Sequence, residues 1–369
     1  MIKKLTLSMT TLLILGIVMI YSSSSVLATF KHDNQFYYLE RQLIFLGLGL
    51  IVFSLFYRLN LKWIKDKILY LLIGSFSLLV IVLIPGIGLL RGGSRSWIGI
   101  GAFSIQPSEI IKIVLILYYA ELLSDNFKKT DQFFYLLKSL IPLFIALGLI
   151  MLEPDFGSAF VIFLSIAVMY LMSNVKMKWI SYSGFLSVFL GCILIMSASY
   201  RLARIKSYID PYEDPLGSGF QIIQSFYAYI PNSFFGRGLF NSIQKYFYLP
   251  EPQTDFIFAI IVEELGCVGI ILVFYSFYTL LTSTIKIAFQ EEDKYHKYLL
   301  IGLIGSLFFQ VFINLGVVVG LIPVTGVTLP FLSYGGSSLL ITLAMMGIIF
   351  NIGSKNKLLN IKSEKRGGL

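Results

Sequence analysis

From Tyr248 to Phe258 the chain reads Tyr-Leu-Pro-Glu-Pro-Gln-Thr-Asp-Phe-Ile-Phe, with two acids four residues apart just before a strongly apolar run. A carboxylate at such a boundary has its proton affinity raised by low dielectric, which suits it to take a proton from a hydroxyl near neutral pH. Asp255 is therefore the leading candidate for a general base, acting on a substrate itself anchored in lipid. Glu251 is placed to raise the proton affinity of Asp255 by like-charge repulsion, and reads as readily as a solvated loop acid. Thr254 and Asp255 also have a plain structural reading, as caps of a helix beginning at Phe256.

Other groups with chemical potential lie in apolar surroundings. Glu109 and Lys112 are spaced i,i+3 and share a helix face, where they can pair, and Pro107 fits the first helical position. Arg95 and Trp97 sit just upstream in the Gly-rich segment Gly92-Gly93-Ser94-Arg95-Ser96-Trp97-Ile98-Gly99. Glu153-Pro154-Asp155-Phe156-Gly157 reads as a tight turn whose acids reach the surface. Glu263 and Glu264 follow Asp255 by two helical turns, roughly 12–13 Å along the axis. Acids at that depth must be paired, protonated or facing water. Pro323 to Ser338 mixes Pro, Gly and hydroxyl residues, and irregular backbone at membrane depth needs internal hydrogen bonds, which Gln310 and Asn314 can supply.

These groups must be positioned by membrane helices. The 369 residues are 57% hydrophobic and 13% charged, with a mean hydropathy of +0.82. No soluble domain hides that much apolar surface, so the expectation is an all-α integral membrane protein of about ten transmembrane helices in one polytopic domain, 1–369. Spans are expected near 5–21, 42–57, 68–88, 136–151, 156–172, 179–199, 256–281, 298–320 and 336–353. A tenth, 109–123, has a charged face that must look into the bundle. Two long loops, about 89–108 and 200–255, fall on one side, and Phe220 to Ile230 within the second reads as an interfacial amphipathic helix.

With both termini on one side, 19 Lys and Arg fall there and 9 on the other. The termini, with the basic tail about 354–369, are thus expected to be cytoplasmic and both long loops extracytoplasmic. The net charge of +9 fits this bias and attraction to anionic lipid headgroups, with no indication of nucleic acid. Cys192 and Cys267 both lie in expected spans and read as packing residues. His32 and His296 fall on opposite sides, so no cluster has metal-ligand spacing.

The Gly92–Gly99 segment, Gln106-Pro107-Ser108-Glu109, Glu153–Gly157, Asp214-Pro215-Leu216-Gly217-Ser218-Gly219, the Asp255 stretch and Pro323–Ser338 together, in that order, resemble the SEDS family (shape, elongation, division and sporulation). Tyr21-Ser22-Ser23-Ser24 and Pro-Glu-Pro-Gln-Thr-Asp are closer to its division and sporulation members than to its elongation members. The chain departs at Asn232-Ser233-Phe234-Phe235, where the family usually has Gly-Gly before Phe-Gly. The resemblance implies an inverting peptidoglycan glycosyltransferase that polymerises lipid II at the outer face of the bacterial cytoplasmic membrane beside a class B penicillin-binding protein, a transpeptidase.

It also makes Asp255 the catalytic residue, with Arg95, Trp97, Glu109, Lys112 and Asp155 lining a cavity for the lipid II headgroup. A polyprenyl-diphosphate leaving group calls for cations, and Arg201, Arg204 and Lys206 are the nearest in sequence, although they also read as anchors to phosphate headgroups. A divalent cation, magnesium or manganese, bridging Asp255 or Asp155 to the diphosphate is compatible with these residues; no cofactor is certain. A lipid II flippase and a non-catalytic scaffold recruiting the transpeptidase are the rival readings. A flippase calls for polar residues at the midplane open to both sides, whereas the acids here cluster outward.

Overall fold

The computed structural model describes residues 1–369 except 92, 101–102, 126–132, 174, 186–198, 218, 233 and 368–369. In chain order the elements are α1 (Ile2–His32), α2 (Tyr37–Arg58), α3 (Leu61–Asp66), α4 (Ile68–Leu83), β1 (Gly88–Arg91), β2 (Ser94–Ile100), β3 (Phe103–Ile105), α5 (Pro107–Asp125), α6 (Phe133–Leu152) and α7 (Phe156–Leu171). There follow α8, described over residues 177–185, α9 (Ser199–Ile209), α10 (Phe220–Tyr229), α11 (Ile257–Gln290), α12 (Lys294–Val318) and α13 (Gly336–Gly367).

Among the described residues six helices, α1, α2, α6, α11, α12 and the first part of α13, are long and apolar enough to cross a bilayer; α4 and α7 are shorter apolar helices. The span expected at 179–199 falls mostly on residues outside those described. α5 carries its charges inward as expected, with Glu109 and Lys112 both buried. α1 continues past its expected end because its hydroxyls are satisfied within the helix: Ser24 Oγ donates to Ile20 O (2.6 Å) and Thr29 Oγ1 to Ser25 O (2.9 Å).

α13 is central. Its spanning stretch is 83% buried, against 17% for α2, which packs along it and turns Leu43, Ile44, Leu48, Ile51 and Leu55 outward as lipid-facing surface. A Cβ on Gly347 would stand 2.6 Å from Phe53 O, so the close approach of α2 and α13 depends on that glycine. α1 lies along α11, and α12 packs against α5, α7 and α11.

Three features depart from the expected all-α bundle. β1, β2 and β3 form a three-stranded antiparallel sheet, in which Leu89 pairs with Trp97 and Ile98 with Ile105. Gly93, at φ +81°, supplies the left-handed position in the tight β1–β2 turn. Secondly, α10 does not simply lie at an interface. It buries Ile222, Ile223, Ser225 and Ala228 against α11 and α12, and Ser225 Oγ donates to Val318 O (2.8 Å). Thirdly, α11 is broken at Gly266 (φ +55°, ψ −139°), where a Cβ would stand 2.5 Å from Gly236 N.

Gly266→Ala should therefore destabilise the protein by about 1–3 kcal/mol or more, because neither the dihedral nor the space admits a side chain. Gly148→Ala in α6, where none of the described residues lies within 4 Å of the new methyl, is the control and should leave stability unchanged or raise it by up to about 1 kcal/mol. Thermal unfolding in detergent reads the difference, and equal midpoints for the two variants would show that the break carries no strain.

Candidate active site

Asp255 lies two residues before α11, at the end of a tightly turned segment. Leu249 N donates to Gln244 O (3.0 Å), Thr254 N to Glu251 O (3.1 Å), and Glu251 adopts a left-handed φ of +46°. The capping reading is corrected here. The residue at the cap position is Phe256, with no side-chain cap bond, and Thr254 Oγ1 turns back to Glu251 O (2.9 Å).

Asp255 is held instead through its backbone. Asn314 Nδ2 donates to Asp255 O (2.8 Å) and also to Val327 O (2.7 Å), tying the acid to the irregular segment before α13. Ser333 Oγ donates to Thr254 O (2.6 Å) while accepting from Leu329 N (2.8 Å), and Tyr334 N donates to Gln253 O (2.8 Å). Gln310 Nε2 donates to Thr328 O (3.2 Å), so Gln310 and Asn314 serve the irregular backbone as their spacing on α12 implies. Gly326, at φ +77°, faces the carboxylate: a Cβ there would be 3.7 Å from Asp255 Oδ2.

The expected Glu109–Lys112 pair forms at 2.8 Å, and Lys112 Nζ also donates to Gln310 Oε1 (3.1 Å). One chain of polar contacts thus runs from α5 through α12 to the segment that meets Asp255. Asp155 caps α7 by accepting from Ser158 N (3.1 Å), and takes a bond from Gln106 Nε2 (2.7 Å) and a longer one from Ser108 Oγ (3.3 Å). Its neighbour Glu153 does not reach the surface as expected. It is fully buried, its carboxylate oxygens have no hydrogen-bond partner among the described residues, and its carbonyl accepts from Ser94 Oγ of β2.

The proton affinities follow from these surroundings. Burial, then repulsion from Glu251, pushes the Asp255 carboxyl up to about 7; Arg204 opposes the rise and Asp155 adds to it. Burial, reinforced by Asp155, pushes Glu153 up to about 9, and burial is also the main reason Asp155 is raised. Glu109 adds to the rise at Asp155. The field around Asp255 is therefore shared by Glu251, Asp155 and Arg204.

Arg204 is exposed on α9 and donates from Nη1 to Val324 O (3.2 Å), which places it on the same irregular segment. Arg201 lies three residues earlier on the same helix face, its side chain outside those described, whereas Lys206 is exposed and does not share that face. Arg95 and Trp97 lie on β2, whose sheet packs on α4, α5 and α13. The Arg95 Nε is buried with no hydrogen-bond partner among the described residues. The roles of Ser333, Tyr334, Gln106 and Ser108 were not assigned from sequence, although all four lie in segments that carry the resemblance. Their signal was faint, because a serine or glutamine reveals its partner only once distant segments meet.

Residues 3–358 match the family of cell cycle proteins comprising FtsW, RodA and SpoVE. The chain belongs to that family. Stage V sporulation protein E of Bacillus subtilis (strain 168) is 47% identical over 353 residues, 92% of this chain and 93% of the relative. A probable peptidoglycan glycosyltransferase FtsW of Trichlorobacter lovleyi is 41% identical over 351 residues, 93% and 90% of the two chains. Among solved structures, a chain from work on the coordination of polymerization and crosslinking by a peptidoglycan synthase complex superposes with a TM-score of 0.79 at 30% identity. That match covers 95% of this chain and 97% of the other. The Thermus thermophilus rod shape determining protein RodA gives a TM-score of 0.70 at 27% identity, covering 95% and 96%. The FtsW/RodA/SpoVE fold is thus shared along almost the whole length of this family member.

Within that fold the Glu109–Lys112 pair is buried on both sides, so removing one partner strands the other. Glu109→Ala and Lys112→Ala should each cost on the order of 3–5 kcal/mol of stability. In a double-mutant cycle the double variant should be less damaged than the sum of the singles, and strict additivity would show that the two do not interact.

Proposed function

We propose that the chain is an inverting peptidoglycan glycosyltransferase that polymerises lipid II at the outer face of the cytoplasmic membrane during division or sporulation. The observation that carries the reading is Asp255: a half-buried carboxyl tuned to about 7, at the end of an apolar helix, in a chain whose relatives include named peptidoglycan glycosyltransferases. The acceptor's sugar 4-hydroxyl gives its proton to the Asp255 carboxylate as its oxygen attacks the anomeric carbon of the lipid-diphosphate-linked glycan. The new β-1,4 C–O bond forms as the bond to the diphosphate breaks, and the electron pair leaves with the phosphate oxygen on its lipid.

Charge developing on the leaving oxygens needs nearby cations. Arg204 lies within the field of Asp255 and is the first candidate, with Arg201 and Lys206 on the same helix. Asp155, Glu109, Lys112, Arg95 and Trp97 remain candidates for the wall that receives the headgroup. Among the described residues no group of three His, Cys, Asp or Glu side chains forms a metal cage. Asp255 or Asp155 would be the residue to hold a divalent cation, which would supply positive charge toward the leaving diphosphate. A class B penicillin-binding protein is the proposed partner, a reading supported by the likeness to a chain of a peptidoglycan synthase complex.

Asp255→Asn should abolish glycan formation from lipid II in a folded, membrane-inserted protein, and wild-type rates would remove Asp255 from the mechanism. A base must be deprotonated to act, so kcat/KM should rise with pH through about 7 and level off above it. Glu251→Gln removes an anion that raises the carboxyl, and should move this limb to lower pH. Arg204→Gln removes a cation that lowers it, and should move the limb to higher pH. A limb unmoved by both would assign it to another group.

The proposed orientation puts both termini in the cytoplasm, on the 19 to 9 division of basic residues. With Cys192 and Cys267 replaced by alanine, a cysteine at Glu213 should react with an impermeant thiol reagent in intact cells, and one at Ser354 should not. The reverse pattern would put Asp255 on the wrong side for polymerisation.

A further inference from the structure

The break in α11 exposes helix carbonyls, and one loop takes them up. Arg237 N donates to Glu263 O (2.7 Å), Gly238 N to Glu264 O (2.9 Å), and Cys267 N, past the break, donates to Phe234 O (3.2 Å). Gly236, at φ +69°, lets the loop approach, since a Cβ there would be 2.4 Å from Glu264 O.

The side chains of the same two glutamates bind the next stretch of that loop. Glu264 accepts from Phe240 N (3.0 Å) and Ser242 N (3.2 Å), and from Ser22 Oγ of α1 (2.5 Å), with Lys245 Nζ at 3.6 Å. Glu263 accepts from Ser242 Oγ (2.5 Å), Ile243 N (2.9 Å) and Gln244 N (3.4 Å), with Arg237 Nε at 3.6 Å. Lys245 Nζ closes the loop on itself by donating to Phe240 O (2.6 Å). Both carboxylates are 1% exposed. Phe240 holds a left-handed φ of +66°, a conformation that a bulky residue keeps only where its surroundings over-determine it.

These contacts close residues 234–267 into a circuit. Its base is fastened to α11 and α1 by Glu263 and Glu264, and its far end, Gln253 to Asp255, is fastened to α12 and the segment before α13 by Asn314, Ser333 and Tyr334. Packing alone would not need two buried carboxylates, which are costly to desolvate. Four backbone N–H groups and two hydroxyls converging on them mark an anchor that fixes loop geometry.

We propose that Glu263 and Glu264 are positioning residues for the glycosyl transfer: by anchoring residues 236–245 at the break in α11, they hold Asp255 in register with its substrate. The proposal rests on the reading of Asp255 as the base. The anchor itself is tested separately, by amide hydrogen exchange on the full chain in detergent, which needs no turnover. Glu263→Gln and Glu264→Gln keep side-chain size but turn one acceptor into an NH2 group facing donors.

Folded variants should lose kcat on lipid II by about 10- to 100-fold, the cost of displacing a catalytic group by about 1 Å. KM should stay within about twofold, because substrate contacts are untouched. Exchange over residues 236–255 should accelerate at least about tenfold while α12 stays protected. Ser22→Ala and Ser242→Ala, each deleting one donor, should give smaller changes of the same kind, and they replace the glutamine variants if those do not fold. Accelerated exchange with full kcat would show that the anchor does not position the base, and unchanged exchange would show that there is no anchor. If the wild-type chain forms no glycan, the reading of Asp255 fails, and exchange alone decides whether the glutamates hold the loop.

Discussion

From α12, the amide of Asn314 holds both halves of the candidate site at once. Asn314 donates from one nitrogen to Asp255 O and Val327 O, and both carbonyls belong to segments that form no regular helix. At membrane depth an unpaired carbonyl away from water costs several kcal/mol, so irregular backbone persists only where it is buried in protein that completes it or lines a wet cavity. α12 can carry this duty because its spanning stretch is 78% buried and braced by α5, α7 and α11. The site is thus a polar seam fastened to a rigid apolar helix, with Gln310 one turn away joining the Glu109–Lys112 pair to the same seam.

Burial outweighs charge in tuning the acids on this seam. Charges separated by 4 Å interact with about 4 kcal/mol at an effective dielectric of about 20, and the energy falls with distance. Lys112 lies 2.8 Å from Glu109, so its charge is largely committed there. Asp255 consequently responds first to desolvation and only then to Glu251, Arg204 and Asp155, while Asp155 responds first to desolvation, then to its hydrogen bonds with Ser158 and to the charge of Glu109.

What the sequence disclosed was local. The i,i+3 spacing of Glu109 and Lys112, the inward charged face of α5 and the pairing capacity of Gln310 and Asn314 follow from helix periodicity, which the chain displays directly. The sheet at 88–105 was hidden because its hairpin depends on one left-handed glycine and lacks clean alternation. Burial of Glu153 was hidden because β2, distant in sequence, covers its turn. The cap expected of Asp255 was wrong for a related reason: Asn314 and Ser333 direct the backbone entering α11, and the helix starts one residue later than local preference would have it. Glu263 and Glu264 were legible as acids needing partners. Their partners became visible only with the break at Gly266, which no periodicity announces.

Glu153 and Asp255 show how environment divides labour between like groups. Glu153, without a hydrogen-bond donor among the described residues and pushed up to about 9, stays protonated near neutral pH and is a poor base. Asp255, half-exposed and pushed to about 7, has both protonation states within reach. A carboxylate left near its ordinary value would accept a hydroxyl proton weakly, and one as high as Glu153 would not release it for the next turnover. The Asp255 value reflects opposed influences, burial and Glu251 against Arg204, and Arg204 in turn is tied to Val324 of the segment that Asn314 holds. The geometry that places the base therefore also sets its proton affinity, and a disturbance of the seam would change both together.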